Sequence, residues 1–310
     1  AMMMRVWRPT GAEAVKFICL VPGYDRHFTI CEHFDMEMIA LPFLPTGPDM
    51  ARIETLVQSD PAIKGIWCVP KYSNSTGHSY DDKTVTALAA LASKAGDDFR
   101  VLWDNAYTVH HLTDKTETLA DVLGLAAKAG CPDSIAMFAS TSKITHAGSG
   151  ISFFAGSEAN LAAFEKFLSA QVICFDKVNQ LRHVRFLRDS AGIAAQMAKH
   201  RAILQPKFAL VEQKLNQALA GKDIASWTKP TGGYFVSLDT RPGLASRVVA
   251  LAAEAGVKLT PAGATFPQGK DPEDRNIRIA PTYPSLAELD KAMDVLVTCI
   301  ELASAEQTSN

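Results

Sequence analysis

The feature that most constrains the fold is an alternation of short apolar segments with longer amphipathic ones in the first half of the chain. Six segments have the length and apolar character of buried strands: Lys16–Val21, Glu37–Leu41, Gly65–Val69, Arg100–Trp103, Ile135–Ala139 and Ile151–Ala155. Helical periodicity separates them, at His27–Phe34, Asp49–Gln58, Asp82–Lys94 and Glu117–Ala129. Short apolar strands separated by helices predict an α/β fold, with a mostly parallel sheet sandwiched by helices.

The second half of the chain has a different pattern. Helical periodicity dominates from Asn160 to Ala220, with a predicted break near Gln171–Asp176. A smaller unit follows, with predicted strands at Tyr234–Leu238, Val257–Thr260 and Asn276–Ala280 and predicted helices at Pro242–Ala255 and Leu286–Ala303. We therefore expect a large domain over residues 1–205, which ends in a long linking helix, and a smaller α+β C-terminal domain over residues 206–310.

Composition narrows the class of function. The 31 basic and 33 acidic residues give a formal net charge of -2, which argues against a nucleic-acid partner. The longest apolar runs fall far short of the roughly 20 residues that span a bilayer, so no membrane partner is expected. The six cysteines are scattered without a Cys-x-x-Cys pair, and no set of residues has the ligand spacing of a zinc site. These features predict a cytoplasmic enzyme without a structural metal.

Polar and ionisable residues follow four of the predicted strands, where a parallel sheet would gather them on one edge. The four segments are Pro22-Gly23-Tyr24-Asp25-Arg26-His27, Lys71-Tyr72-Ser73-Asn74-Ser75-Thr76-Gly77, Asp104-Asn105-Ala106-Tyr107 and Ser140-Thr141-Ser142-Lys143. Each residue taken singly has an ordinary structural interpretation. A lone lysine is usually a solvated surface charge, Asp104 is typical of a helix cap, and Asn74 is typical of a turn. Their joint occurrence on successive strand ends favours a shared site.

The chemistry that unites these residues is that of pyridoxal 5'-phosphate (PLP). This cofactor needs a lysine that forms an imine and later moves a proton, and a carboxylate that keeps its pyridine nitrogen protonated. Lys143 and Asp104 supply these two groups. Tyr107 and Asn74 can tune the imine through the phenolic oxygen, and Tyr24 can lie over the ring. The hydroxyl groups of Ser140 and Ser142, with nearby backbone amides, can bind the phosphate.

The same segments resemble fold-type I PLP-dependent enzymes of the aminotransferase class I/II superfamily. The resemblance becomes closer to aspartate aminotransferases of type Ic, also described as MocR-like aminotransferases, and covers essentially the whole chain. Three segments carry this closer resemblance: Pro22-Gly23-Tyr24-Asp25-Arg26-His27-Phe28, Asn179-Gln180-Leu181-Arg182-His183-Val184-Arg185-Phe186 and Leu259-Thr260-Pro261-Ala262-Gly263-Ala264-Thr265-Phe266-Pro267. It implies the PLP transferase fold of type I and a homodimer.

The resemblance also implies a role for each candidate residue. Lys143 would be the Schiff-base lysine, Asp104 the partner of the pyridine nitrogen, and Tyr107 with Asn74 the partners of the phenolic oxygen. Tyr24 would stack on the cofactor ring. Ser140 and Ser142 would help to hold the phosphate. Arg278, in Asn276-Ile277-Arg278-Ile279-Ala280-Pro281, would bind the α-carboxylate of the substrate through its two-pronged guanidinium group.

The sequence departs from the superfamily pattern in three places. Asn74 is followed by Ser75 where most members have proline, and no arginine occurs from Ile144 to Ala155, where a phosphate-binding arginine is usual. Such proteins also carry a substantial length of chain before the segment that begins at Pro22. That additional length holds the glycine-containing loop that cradles the phosphate, so we expect the sequence to lack an N-terminal part.

The predicted activity is transamination between an acidic amino acid (aspartate or glutamate) and a 2-oxo acid (2-oxoglutarate or oxaloacetate). A second cation must then bind the side-chain carboxylate, and Arg26, Arg182 and Arg185 are equal candidates. The cofactor motifs do not exclude a PLP-dependent lyase or decarboxylase, nor a catalytically impaired or regulatory aminotransferase-like domain.

A Rossmann dehydrogenase is disfavoured because no Gly-x-Gly-x-x-Gly follows the first strand. His110 and His111, which follow the Asp104 segment, can line the site or face solvent, and a structural role is favoured for them. His27 is expected to cap or line the pocket near Tyr24.

Overall fold

A computed structural model of the protein describes residues 1–11, 13–44 and 46–308. The strands are β1 (Lys16–Val21), β2 (Glu37–Leu44), β3 (Gly47–Pro48), β4 (Ile63–Cys68), β5 (Arg100–Asp104), β6 (Ile135–Ser140), β7 (Ser152–Ala155), β8 (Ala225–Trp227), β9 (Val236–Thr240) and β10 (Asn276–Ile279). The helices are α1 (Met4–Trp7), α2 (Asp25–His33), α3 (Met50–Ser59), α4 (Asp82–Ala90), α5 (Val122–Lys128), α6 (Glu158–Leu168), α7 (Lys177–Leu187), α8 (Ser190–Leu219), α9 (Ala245–Glu254) and α10 (Leu286–Thr308).

The larger sheet has seven strands in the order β3-β2-β1-β4-β5-β6-β7. The five central strands run parallel, while β3 and β7 run antiparallel to their neighbours. Side chains of β1 alternate between two apolar clusters: Ile18 joins the core that contains α3 and α4, and Phe17 packs with α2 on the other face. Burial of both faces explains why the strands are apolar throughout. The predicted mostly parallel sheet with helices on its faces is confirmed.

The second sheet has three antiparallel strands in the order β10-β9-β8. Its core includes α9, α10 and the C-terminal half of α8, through residues such as Val211 and Leu215. The predicted strand at Val257–Thr260 is wrong, because that segment is irregular. Both edges of β9 are already paired, one with β10 and the other with β8, a strand that the sequence analysis did not predict.

Several predicted helices have different bounds in the structure. The helix predicted at Glu117–Ala129 begins only at Val122, because the Asp121 side chain caps it by accepting a hydrogen bond from Gly124 N. The predicted break near Gln171–Asp176 is confirmed, since it separates α6 from α7. The long helix α8 runs without interruption through the predicted domain boundary at residues 205 and 206, and that boundary stays a prediction.

Within residues 1–11, 13–44 and 46–308, none of the helices combines the length and apolarity that crossing a bilayer requires.

Candidate active site

The parallel strands deliver their polar ends to one edge of the large sheet. Asp104 is the last residue of β5, and Ser140 is the last residue of β6, which pairs with it. The segment after β1 carries Tyr24, and the segment after β4 carries Asn74. The predicted strand ends therefore lie side by side, as the parallel arrangement requires.

Lys143 lies in the turn after β6 and extends toward the segment after β5. Its Nζ atom is 5.0 Å from the centroid of the Tyr107 ring. Burial lowers the pKa of Lys143 below its ordinary value, while the negative charge of Asp104 opposes this effect. The neutral, nucleophilic form of the amine is therefore more accessible here than on a surface lysine.

Asp104 is held by a histidine. His27 donates from Nε2 to Asp104 Oδ2 over 3.1 Å, because an ionised carboxylate can only accept. The imidazole ring stacks on Trp67 with centroids 4.2 Å apart and planes 9° from parallel, and the Tyr24 ring meets it edge-on at 5.1 Å. The expected proximity of His27 to Tyr24 agrees with this geometry. Its contact with the carboxylate was not foreseen.

Tyr107 is buried at the centre of the group. Burial raises the pKa of its hydroxyl well above the ordinary range, and Asp104 and Tyr24 raise it further, while Arg278 acts in the opposite direction. These electrostatic neighbours come from three different segments of the chain. The phenol therefore remains protonated at neutral pH and is available as a hydrogen-bond donor.

Arg278, on β10, reaches the large sheet from the second one. Its Nη1 atom donates to Asn74 Oδ1 over 3.1 Å and to Asp25 Oδ1 over 3.3 Å, and its guanidinium lies 5.0 Å from the centroid of the Phe235 ring. Its Nε atom is buried and has no hydrogen-bond partner among the described residues. Because Asn74 Oδ1 accepts from Arg278, the amide nitrogen of Asn74 is the group left to donate toward a ligand.

Ser140 ends β6, and Ser142 lies in the segment between β6 and β7. The backbone N–H of Ser142 donates to Ser140 Oγ over 3.4 Å, and Thr141 between them is buried and accepts from Ile151 N over 2.8 Å. Ser140 borders a cavity of about 660 Å³, which His110 also lines. Ser140 thus lies at the edge of a space that can hold a ligand, and Ser142 lies two residues further along the chain.

Two residues make contacts with Lys143 that the sequence did not predict. His110, for which the sequence left a place at the site open but favoured a structural role, is buried, and its Nε2 atom contacts the backbone oxygen of Lys143 at 3.2 Å. The hydroxyl of Tyr234 donates to the same oxygen over 3.1 Å. The glycine pair before Tyr234 makes this approach possible. Gly233 has a φ of +80°, and a Cβ atom on Gly232 would lie 2.3 Å from the Tyr72 ring.

The three candidate cations for a second carboxylate are all exposed. Arg26 follows Asp25, which binds Arg278. Arg182 and Arg185 lie on α7 and border a cavity of about 400 Å³ together with Thr145 and His146, which follow Lys143 in the chain. The structure therefore brings two of the candidates next to the segment that carries the lysine.

Comparison with known proteins gives a consistent set of similarities. Residues 4–310 match the family model described as aspartate amino-transferase. The chain is 54% identical over 300 residues to a protein of Mycolicibacterium smegmatis named as an aminotransferase, covering 96% of this chain and 70% of that protein. It is 49% identical over 298 residues to an aspartate aminotransferase of Corynebacterium glutamicum, covering 96% of this chain and 68% of that protein.

A solved structure shares the fold as well as the sequence. The crystal structure of an aminotransferase from Corynebacterium diphtheriae superposes with a TM-score of 0.95 at 46% sequence identity. The similarity covers 98% of this chain and 77% of the other. The family model's match, over residues 4–310, includes both sheets and every segment that contributes a residue to the candidate site.

Proposed function

The chain belongs to the aspartate aminotransferase family and is a PLP-dependent aminotransferase, and we propose that it exchanges the amino group of aspartate or glutamate with a 2-oxo acid such as 2-oxoglutarate or oxaloacetate. Its fold is the expected PLP transferase fold of type I. The motifs around Pro22, Asn179 and Leu259 support its assignment to the type Ic subgroup. The observation that carries the acidic-substrate proposal is the pair Arg182 and Arg185, which border a cavity with Thr145 and His146 shortly after Lys143. Arg278, whose buried Nε has no hydrogen-bond partner among the described residues, is the proposed clamp for the α-carboxylate that every amino acid has.

The residues present fit the cofactor. An amine, a carboxylate, a phenol and an amide lie at one sheet edge, and they match the aldehyde, the pyridine nitrogen and the phenolic oxygen of PLP. Lys143 would hold the cofactor covalently, Asp104 would face the pyridine nitrogen, and Tyr107 with Asn74 would donate to the phenolic oxygen. Tyr24 would cover the ring. When bound, PLP supplies an electron sink for the charge that develops at the substrate's α carbon.

Serine hydroxyl groups are the proposed phosphate ligands within this chain. Ser140 borders the cavity beside His110, Ser142 lies two residues further along the chain, and the backbone amides of this segment can add further hydrogen bonds. Two hydroxyl groups carry no charge to match that of the phosphate. The absence of an arginine from Ile144 to Ala155 therefore leaves the phosphate to be held by dipoles in this part of the site.

The mechanism assigns one task to each side chain. Arg278 binds the α-carboxylate through the face of its guanidinium that Asn74 and Asp25 leave open, and so fixes the substrate's orientation. Lys143 Nζ would take the proton from the substrate's α carbon and pass it on to the cofactor, and its lowered pKa increases the neutral fraction of the amine that can act as this base. Asp104, anchored by His27, would stabilise a positive charge on the pyridine nitrogen of bound PLP.

A second positive charge selects an acidic substrate. Arg182 and Arg185 border the space beside Thr145 and His146, and we assign the recognition of the side-chain carboxylate to this pair. A carboxylate on the substrate would pair with their guanidinium groups, whereas an amide of the same size would gain much less.

Comparing aspartate with asparagine tests the proposed activity, because the two donors have the same size and differ in charge. With PLP and 2-oxoglutarate supplied, we expect kcat/KM for aspartate to exceed that for asparagine by about 10²-fold, as for a charge pair that is lost. The measurement is oxo-acid formation, with ammonia and carbon dioxide release followed in parallel. Equal rates for the two donors, faster release of either gas, or failure to bind PLP would each contradict the proposal.

The protein is further proposed to act as a homodimer, as the fold-type I resemblance implies. The support is an exposed apolar surface on α7, where Val178, Val184 and Phe186 have 72%, 63% and 58% of their surface exposed. Several large apolar side chains exposed on one helix are a feature of protein interfaces.

The mass of the particle in solution tests the dimer. We expect twice the 33.5 kDa of the chain, and Phe186→Glu should shift the protein toward the monomer because it places a charge in the buried contact. Tyr283→Glu, at a position that is 97% exposed and lies outside α7, is the matched control and should leave the mass unchanged. A monomeric wild-type protein, measured by light scattering or sedimentation, would rule the dimer out.

A further inference from the structure

We propose that Tyr234 and His110 are positioning residues that hold the backbone of Lys143 and thereby aim its amine at the cofactor and substrate. This inference rests on the proposed function, since it concerns the same lysine. Both side chains contact one acceptor, the carbonyl oxygen of Lys143, at 3.1 Å from the Tyr234 hydroxyl and 3.2 Å from His110 Nε2. A backbone carbonyl has two lone pairs, so the pair of donors saturates it.

The protonation states of both residues are suited to this contact. Burial lowers the pKa of His110 to about 4, so its imidazole is neutral at physiological pH and carries one N–H. Because a carbonyl can only accept, that proton must reside on Nε2 for the hydrogen bond to form. Burial raises the pKa of Tyr234, which keeps its hydroxyl protonated and able to donate. Each donor is therefore present throughout the neutral pH range.

Three aromatic rings fix the two donors in place. The His110 and Tyr234 rings meet edge-on with centroids 5.2 Å apart, and each lies 5.7 Å from the Tyr107 ring. The Lys143 amine lies 5.0 Å from the centroid of the same Tyr107 ring. The lysine is thus held at both ends, with its carbonyl between the two donors and its amine at the ring they pack against.

The contact also connects the second sheet to the catalytic lysine. Tyr234 precedes β9, which pairs with β10, and Arg278 of β10 lies opposite Ser237 of β9. Phe235, the next residue after Tyr234, packs its ring under the Arg278 guanidinium at 5.0 Å. Adjacent residues therefore contact the proposed substrate clamp and the backbone of the lysine. A carboxylate that draws Arg278 inward would act on Lys143 through this dipeptide.

The rate at which PLP attaches to cofactor-free protein measures the positioning of Lys143 directly. Attachment requires the amine to reach the aldehyde in the correct orientation. Tyr234→Phe removes one hydroxyl and keeps the ring. We expect it to slow the growth of the bound cofactor's absorbance band about fivefold, the effect of losing one neutral hydrogen bond. The kcat for transamination should fall by a similar factor, while KM for the amino donor changes less than twofold.

His110 offers a test by rescue. His110→Gln can place its amide nitrogen near the position of Nε2 and should retain most of the attachment rate, whereas His110→Leu removes the donor and should slow attachment about fivefold. Because the two donors share one acceptor, the effects of Tyr234→Phe and His110→Leu should combine less than multiplicatively. Tyr283→Phe, on an exposed tyrosine, is the matched control and should change neither rate.

The outcomes separate this inference from the proposed function. Wild-type protein that binds PLP and transaminates aspartate upholds the function whatever the variants do. If Tyr234→Phe and His110→Leu then lower the melting temperature but leave attachment rate and kcat unchanged, the two residues are only structural and the positioning role is overturned. Slower attachment in these variants at an unchanged melting temperature, with the attachment rate retained in His110→Gln, supports the positioning role.

Discussion

Replacing Lys143 with alanine is expected to reduce transamination by on the order of 10⁵-fold, because one residue supplies both the covalent anchor of the cofactor and the base that moves the α proton. The structure offers no obvious substitute among the described residues at this edge. Lys71, the other buried lysine of the strand-end segments, donates to the backbone oxygen of Glu117 and packs at 5.3 Å from the Tyr72 ring centroid. It is engaged away from Tyr107.

Two measurements check the Lys143→Ala prediction. The absorbance band of bound cofactor in the wild type should disappear in the variant, and oxo-acid formation from aspartate should fall to near the uncatalysed rate. Lys128→Ala, on an exposed lysine of α5, is the matched control and should retain both signals. Retention of the wild-type band in Lys143→Ala would show that another amine holds the cofactor.

The lysine variant should also remain folded. Lys143 is half-buried, and burial lowers its pKa, which means that the charged amine is poorly solvated where it lies. Replacing Lys143 with alanine removes this desolvation cost, but it also removes the packing of the lysine's methylene chain. A melting temperature close to that of the wild type is therefore expected, so that a loss of activity is not a loss of structure.

The residues of this site that could be predicted from the sequence are those that the topology of the parallel sheet brings together. Lys143, Asp104 and Asn74 could be grouped because parallel strands place their carboxyl ends at one edge, a rule that needs no knowledge of side-chain packing. The larger sheet could be predicted from the apolar strand segments, which also requires no knowledge of side-chain packing. The identity of the partners was harder to predict, since it depends on how a second layer of the fold packs.

Contacts between distant segments account for what was missed. Tyr234 meets Lys143 across 91 residues of chain, and Asp25 meets Arg278 across 253. Neither pairing leaves a local pattern, because a tyrosine after two glycines is equally typical of a plain hairpin turn. The strand predicted at Val257–Thr260 was wrong for the opposite reason, because there the local pattern was present and the long-range pairing was not. Its composition is that of a strand, but both edges of β9 were already taken by other strands.

Replacing Asp104 with asparagine is expected to lower kcat by on the order of 10²- to 10³-fold, the usual cost of removing one preorganised charge from an active site. The amide has nearly the same shape but cannot stabilise a positive charge on the pyridine nitrogen, and the electron sink is weakened in consequence. His27 can still donate to the amide oxygen, and its ring remains stacked on Trp67, so the geometry is retained.

Asp35→Asn is the matched control for this variant. It makes the same chemical change at an exposed position, where asparagine tolerates the backbone φ of 50°, and kcat should not change. A kcat for Asp104→Asn within a factor of about three of the wild type would remove Asp104 from the proposed mechanism, since so small a change is no more than about 0.7 kcal/mol of transition-state stabilisation.

The same substitution should change the pH dependence of cofactor attachment in a defined direction. The negative charge of Asp104 raises the pKa of Lys143 and so partly offsets the lowering by burial. Without that charge the pKa of Lys143 falls further, and the neutral amine persists to lower pH. The rate of PLP attachment to cofactor-free Asp104→Asn protein should therefore hold at a pH where the wild-type rate has already dropped. A shift of this acidic limb toward higher pH would mean that Asp104 does not act on the amine of Lys143.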